Sequence, residues 1–396
     1  MTLKPNKQKI NEILTRGVEE ILVKEDFERK LISGEKLRIK FGIDPTGNVL
    51  HLGHSVCLLK LRELQEMGHQ IIFLIGDFTA KIGDPTGRTS KRVPLTEKQI
   101  KENMKSYKNQ AGLILNLKKV ETRYNSQWWN RMNLTEMMQL TMKVTYSQVS
   151  AREDFKKRLA EDKDFTVEEF MYPVLQGYDS VALKADVEIG GTDQKFNMLM
   201  GRQIQKKYNQ KAQDVITIPL LEGLDGKEKM SKSIGNYIAL TDKPEEMYGK
   251  VMSIQDGFIK KYFKFCTRLP LEKIDEIEKN LGSRDQKARL AKEIVKMYHG
   301  EKEAKNAEQE FDKVFRNKEL PSDMPVFETD KKKYPILDLL CDSGLTHSKN
   351  EAKRLVEGNA VEIYNVKVND WKASIELIDG AVIKVGSRRF AKIKIK

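Results

Sequence analysis

Residues 37–75 read as strand, helix, strand, and no other feature restricts the fold as much. Residues 37–43 (LRIKFGI) have the composition of a strand. Residues 53–67 form an amphipathic helix, with apolar side chains at Val56, Leu59, Leu64 and Met67. Residues 70–75 (QIIFLI) are a continuous apolar run, as expected of a parallel strand buried on both faces. Two parallel strands joined by a helix make a βαβ unit, the start of a doubly wound, Rossmann-like α/β sheet. Ligands of such sheets bind beyond the carboxyl ends of the strands. The loop GIDPTGNVLHLGHSV (42–56) is placed at that edge.

The rest of the chain organises around this unit. Residues 88–165 are charged and helical in pattern, and are read as an insertion that interrupts the sheet. A strand at 186–189, a turn at Gly190-Gly191, a helix from about Lys195 and a strand from Val215 (VITIPLL) resume it. Beyond Lys243 come Lys/Glu-rich helices without strand candidates, then the polar, proline-containing NKELPSDMPVFETDKKKYP. The expected organisation is an α/β domain over 1–240, a helical domain over 241–320, a linker over 321–335 and a small α+β domain over 336–396.

No apolar run approaches the length of a membrane span. The opening MTLKPNKQKI is polar and is expected to be neither signal nor transit peptide. Cys57, Cys266 and Cys341 are far apart with no CxxC, which argues against a disulfide framework and fits a reducing cytoplasm. The net charge of +13 favours polyanionic partners. Part of that excess is terminal, since residues 331–396 hold 14 Lys or Arg against 8 Asp or Glu.

His51 and His54 raise a metal reading, but His69, His299 and His347 have no metal-like spacing to them. A phosphate reading needs a helix N-terminus, a small residue and neutral donors; Gly53, Thr46 and the two imidazoles supply these. KEKMSKS (227–233) adds Lys229 and Lys232 on a flexible loop after a late strand, which taken alone is an ordinary solvated turn. Tyr172, Gln176 and Asp179 recur on one helical face, crowded by Met171, Val174, Leu175, Tyr178 and Val181, so they line a pocket. GDPTGRT (83–89) has one residue too few for a P-loop, and Arg where Lys is required.

HLGH and KMSKS, 175 residues apart with a Rossmann pattern between, resemble the paired signatures of class I aminoacyl-tRNA synthetases. With YPVLQGYDSVALKADVEIGGTDQKFN and the tail SKNEAKRLVEGNAVEI, the chain resembles the bacterial tyrosyl-tRNA synthetases that keep KMSKS complete. The resemblance implies tyrosine, ATP with Mg²⁺, and tRNA(Tyr) as substrates, a homodimer, and no membrane association. It implies that Asp84, Tyr172 and Gln176 hold the substrate ammonium, Asp179 its hydroxyl, and Gln194 its carboxylate. Thr46, His51, Lys229 and Lys232 would stabilise departing pyrophosphate. His54, Gly191 and Asp193 would bind the ribose, with Asp44 and Gly53 bordering the nucleotide pocket and Lys232 also contacting ATP. One departure stands out: Lys40 occupies the position of a tyrosine that supplies much of the family with a second contact to the substrate hydroxyl.

The tail resembles an S4-type RNA-binding domain. Ser348 can cap a helix carrying Lys349, Lys353 and Arg354, with Arg388 and Arg389 near the end. Tyr364-Asn365-Val366 stands where an Asn-Gly hairpin is usual. A tryptophan-specific relative, a catalytically silent RNA-binding paralogue and another nucleotidyltransferase of the same superfamily remain as alternatives at this point.

Overall fold

The computed structural model describes residues 7–86, 95–164, 166–317, 319–320, 324–364, 366–386 and 389–396. The chain divides into two compact units, Met1–Ala304 and Lys305–Lys396.

In the first unit six strands, β1 (Glu20–Leu22), β2 (Arg38–Ile43), β3 (Gln70–Ile75), β4 (Val120–Tyr124), β5 (Val187–Gly191) and β6 (Asp214–Ile218), form one sheet in the order β1-β6-β5-β2-β3-β4. All neighbours are parallel except β1 against β6. β2 and β3 pair from Arg38↔Gln70 to Ile43↔Ile75, the two strands of the expected βαβ unit. Ile39, Phe41, Ile71, Phe73, Val187, Ile189 and Ile216 are buried, which ties the sheet to the helices on its faces.

After β3 and β4 the chain returns to the other side of β2 and lays down β5. The loops that follow β2 and β5 therefore face each other across the reversal of strand order, where open parallel sheets leave a crevice. The helix Leu52–Glu66 leaves the first loop; a 3-10 turn, Thr192–Gln194, and the helix Lys195–Lys207 leave the second.

Four expectations need correction. The insertion over 88–165 contributes β4 to the sheet edge; its sequence VETRY is half-buried throughout and carries no apolar run. Gly190 and Gly191 end β5 instead of forming a separate turn. The expected boundary at 240/241 is no break in packing. The Tyr262 hydroxyl in the helix Ile259–Cys266 donates to the Glu222 carbonyl at 2.6 Å, and Arg16 donates to the carbonyls of Lys264 and Thr267. Finally, the segment expected as a linker contains two strands, described next.

The second unit holds β7 (Val326–Thr329), β8 (Lys333–Pro335), β9 (Val361–Ile363), β10 (Val366–Lys367), β11 (Ser374–Glu376), β12 (Val382–Val385) and β13 (Arg389–Ile395). They form a five-stranded sheet, β10-β9-β12-β13-β7, and a β11-β8 pair. Ile336, Leu339, Leu340, Val356, Val361, Ile383 and Ile393 make its core. Ser348 caps the helix Lys349–Glu357, accepting from the Glu351 N–H at 3.2 Å. At the β9–β10 hairpin Tyr364 takes a left-handed φ of 56°, normally costly without glycine. Its hydroxyl offsets this by donating to the Glu376 carbonyl at 2.7 Å and accepting from the Ile378 N–H at 2.8 Å.

Candidate active site

A cavity of about 720 Å³ opens at the switch point and runs from Lys40, Gln176 and Asp179 to His51, His54 and the 229–233 loop. At the histidine end the His51 backbone N–H donates to His54 Nδ1 at 3.2 Å. That bond makes Nδ1 the acceptor and puts the His54 proton on Nε2. Burial holds both imidazoles below their usual range, His54 at about 3, so both are neutral donors at physiological pH. His51 Nδ1 is buried without a hydrogen-bond partner among the described residues. Glycine at 53 leaves room for the His51 ring, since a Cβ there would lie 3.0 Å from His51 Nδ1 and press that imidazole aside.

The chain just after the KMSKS loop pairs with this segment through backbone bonds. Leu52 N–H donates to the Ile238 carbonyl at 3.0 Å, and Leu240 N–H to the Leu50 carbonyl at 2.9 Å. Asn236, buried, accepts from the Ser231 N–H at 2.8 Å and donates to Asp225 at 2.9 Å. Lys229 reaches Asp193 at 2.6 Å. Lys232 donates to the Tyr107 hydroxyl at 2.7 Å, and its Nζ lies within van der Waals reach of a Cβ placed on Gly47. Thr46 and Gly191 line the same wall, and a Cβ on Gly191 would collide with the Asp193 carboxylate.

The other end is built on the helix Val167–Leu183. Thr166 caps it with a capping box to Glu169, which fixes its start and presents Tyr172, Gln176 and Asp179 to the cavity. Asp179 Oδ1 accepts from the indoles of Trp128 at 2.8 Å and Trp129 at 2.9 Å. Its Oδ2 receives one long bond from Asn125 at 3.3 Å, leaving capacity for a further donor. Burial pushes the Asp179 carboxyl up to about 6, opposed by the Lys40 ammonium and these three donors. Asp44 accepts from the Tyr172 hydroxyl at 2.9 Å and from Thr79 at 2.8 Å. Burial raises it to about 7 against those two bonds, with Asp84 and Asp179 adding to the rise. Asp44 is therefore engaged with Tyr172 on the helix that also carries Asp179. Gly76 admits it: a Cβ there would fall 2.1 Å from Asp44 Oδ1.

Asp84 Oδ1 accepts from the Thr86 N–H, the Thr86 hydroxyl and Arg152, and Oδ2 from Gln194 at 2.6 Å. Asn197 bridges Gln176 at 2.9 Å and Gln194 at 3.2 Å. The structure thus brings Asp44, Thr46, His51, Gly53, His54, Asp84, Tyr172, Gln176, Asp179, Gly191, Asp193, Gln194, Lys229 and Lys232 to one cavity. It adds supports that the sequence reading did not assign: Thr79, Asn125, Arg152, Glu188, Asn197 and Asn236. Trp128 and Trp129, likewise unassigned from the sequence, donate to Asp179 through both indoles. No group of three or more His, Cys, Asp or Glu side chains that could hold a metal ion occurs among the described residues.

Residues 33–316 match the family model of tRNA synthetases class I (W and Y), and residues 317–386 match the tyrosine–tRNA ligase SYY-like C-terminal domain. The tyrosine–tRNA ligase of Thermotoga maritima is 47% identical over 386 residues, covering 96% of each chain. The chain belongs to the tyrosine–tRNA ligases. The ligase of Francisella tularensis is 44% identical, over 97% of this chain and 98% of its own. Among solved structures, a C-terminally truncated Coccidioides posadasii mitochondrial tyrosyl-tRNA synthetase superposes with a TM-score of 0.63 at 26% identity, covering 77% and 92% of the two chains. The Archaeoglobus fulgidus tyrosyl-tRNA synthetase complexed with L-tyrosine shares the fold, with a TM-score of 0.61 at 23% identity over 76% of this chain and 99% of its own. The tryptophan alternative falls with the C-terminal match and the full-length tyrosine-specific relatives. The enzyme activates tyrosine with ATP and transfers it to tRNA.

In the second unit of this ligase, Lys349 pairs with Asp338 at 2.5 Å and Lys353 lies 4.2 Å from the Trp371 ring centroid. Arg354 is exposed. Arg389 is committed to Glu351 at 2.7 Å and the Leu345 carbonyl at 2.8 Å. Arg388 lies outside the described residues.

Proposed function

We propose the following division of labour for tyrosine activation. Asp179 Oδ2 accepts the substrate hydroxyl. The ammonium binds Tyr172, Gln176 and Asp84, displacing Gln194 from Asp84 Oδ2 and so freeing it to orient the substrate carboxylate. That carboxylate is ionised at neutral pH and attacks the α-phosphate without a general base. Asp44 supports Tyr172 beside the nucleotide. His54, Gly191 and Asp193 hold the ribose, and Gly53 allows the nucleotide close approach. Thr46, His51, Lys229 and Lys232 neutralise charge developing on pyrophosphate, with Mg²⁺ arriving on ATP. The observation that carries this reading is the single cavity joining a half-satisfied buried carboxylate to two neutral histidines and two loop lysines.

Amino-acid-dependent ATP–pyrophosphate exchange without tRNA tests it. Exchange is expected with tyrosine and not with tryptophan or phenylalanine; exchange with tryptophan would displace the pocket assignment.

The second reaction needs tRNA and, in our reading, two subunits in the cytoplasm. Lys349, Lys353, Arg354, Arg389 and Arg388 of the second unit are the proposed RNA contacts. The helix Leu134–Thr141 supports a homodimer: Leu134, Met138 and Met142 are 78%, 55% and 82% exposed along one stripe, with Tyr146 and Val167 also exposed. Among the described residues no helix is long and apolar enough to cross a membrane. Sedimentation is expected to give a species of twice 45.7 kDa that binds tRNA(Tyr) more weakly as salt rises. A 45.7 kDa species, or salt-independent binding, would remove the corresponding assignment.

A further inference from the structure

Lys40 is fully buried in the cavity wall, and its cross-strand neighbour in the β2–β5 register is Glu188. The two side chains form an ion pair at 2.8 Å with exposures of 0% and 3%. The Lys40 ammonium has three N–H donors, and three acceptors meet it: Glu188 Oε1, the Ser180 hydroxyl at 2.9 Å and the Gln176 carbonyl at 3.1 Å. No donor is left for a substrate. The Ser180 hydroxyl donates in turn to Glu188 Oε2 at 3.1 Å, and Gln213 donates to the same oxygen.

The acceptors are informative. Gln176 and Ser180 stand one helical turn apart, and that turn carries Asp179. We propose that the Lys40–Glu188 pair determines tyrosine specificity as a positioning element, fixing the turn that presents Asp179 and keeping a cation beside that carboxylate without touching the substrate. This rests on the reading of Asp179 as acceptor of the substrate hydroxyl. Breaking such a buried pair costs more than replacing it, because the remaining charge is left uncompensated.

Asp179 is faced by Asn125, Trp128 and Trp129 from the β4 side, by Lys40 from β2, by Tyr172 from its own helix, and by Asp44 and Asp84 from the loops after β2 and β3. Of these, Lys40 opposes the rise in its carboxyl most strongly. An ionised Asp179 is the better acceptor, so tyrosine use falls as pH drops through about 6. Phenylalanine has no hydroxyl and serves as the internal control. A limb shared by both substrates belongs to Asp44, at about 7.

The test is the pH profile of kcat/KM for exchange with tyrosine and with phenylalanine. Lys40→Met/Glu188→Gln keeps the shape of the pair and removes both charges. Its tyrosine-specific limb is expected to move up by about one pH unit, with a roughly twofold loss of preference at pH 7 that grows to roughly tenfold by about pH 5, and an unmoved phenylalanine profile. Glu188→Gln alone leaves Lys40 uncompensated, so its limb is expected to move down; if the variants fail to fold, the native profiles serve, and a tyrosine profile without a limb absent from that of phenylalanine would overturn the proposal. Opposite movements are not produced by a purely structural pair. Unmoved limbs and unmoved preference in a folded variant would overturn the proposal. An Asp179→Ala enzyme that retained its preference would instead overturn the hydroxyl reading beneath it.

Discussion

Asp179→Ala is expected to lower kcat/KM for tyrosine in pyrophosphate exchange by about 10²-fold, from the roughly 1.5–3 kcal/mol typical of a hydrogen bond to a charged group. Phenylalanine is expected to be activated no worse than before. In the native pocket phenylalanine leaves Oδ2 of a buried carboxylate without its donor, whereas alanine has nothing to leave unpaired. The substitution also strips Trp128, Trp129 and Asn125 of an acceptor, so the melting temperature falls as well. The ratio of the two substrates is the decisive quantity, because the fraction of folded enzyme cancels from it. An unchanged ratio would take Asp179 out of hydroxyl recognition.

The second large effect is expected at the lysines. Lys229→Ala and Lys232→Ala should each slow adenylate formation by about 10²–10³-fold, the usual scale for losing one preorganised contact to developing charge. Tyrosine affinity, measured by equilibrium dialysis, should stay within about threefold, since neither lysine forms part of the Asp179 end and both act on charge that appears only as the bond breaks. The geometry supports that separation. Lys229 rests on Asp193 and Lys232 on Tyr107, and the loop's backbone is secured independently through Asn236 and the Leu221 carbonyl. A large loss of tyrosine affinity would mean that the loop shapes the pocket.

Much of this was legible because the chemistry is local in sequence. HLGH needs a strand–helix junction, KMSKS needs a loop, and the i, i+4, i+7 spacing of Tyr172, Gln176 and Asp179 puts them on one face of whatever helix forms. The six residues of β3 announce themselves by apolarity alone. VETRY, the fourth strand, does not, because an edge strand needs only one covered side and its charges remain half in solvent. β7 and β8 are four and three residues long, too short for a period-2 pattern to rise above a polar surround. The supports of the site were hidden for a different reason. Arg152 meets Asp84 and Trp128 meets Asp179 across 68 and 51 residues of sequence, and nothing local in any of these segments names its partner. Lys40 shows the limit most clearly. The sequence marks it as a departure from the family's tyrosine, but only the β2–β5 register reveals Glu188 opposite it and the three acceptors that occupy it.

The contact between Lys229 and Asp193 has a consequence for the resting enzyme. While the two hold each other, the signature loop keeps one cation out of circulation and the β5 loop keeps one carboxylate out of circulation. Neither becomes available alone; releasing one releases the other. In our assignment the ribose claims Asp193 and the pyrophosphate claims Lys229, so a nucleotide unlocks both ends of its own site in a single exchange of partners. On that assignment the two charges are matched before nucleotide arrives, and both would change partners together when it binds.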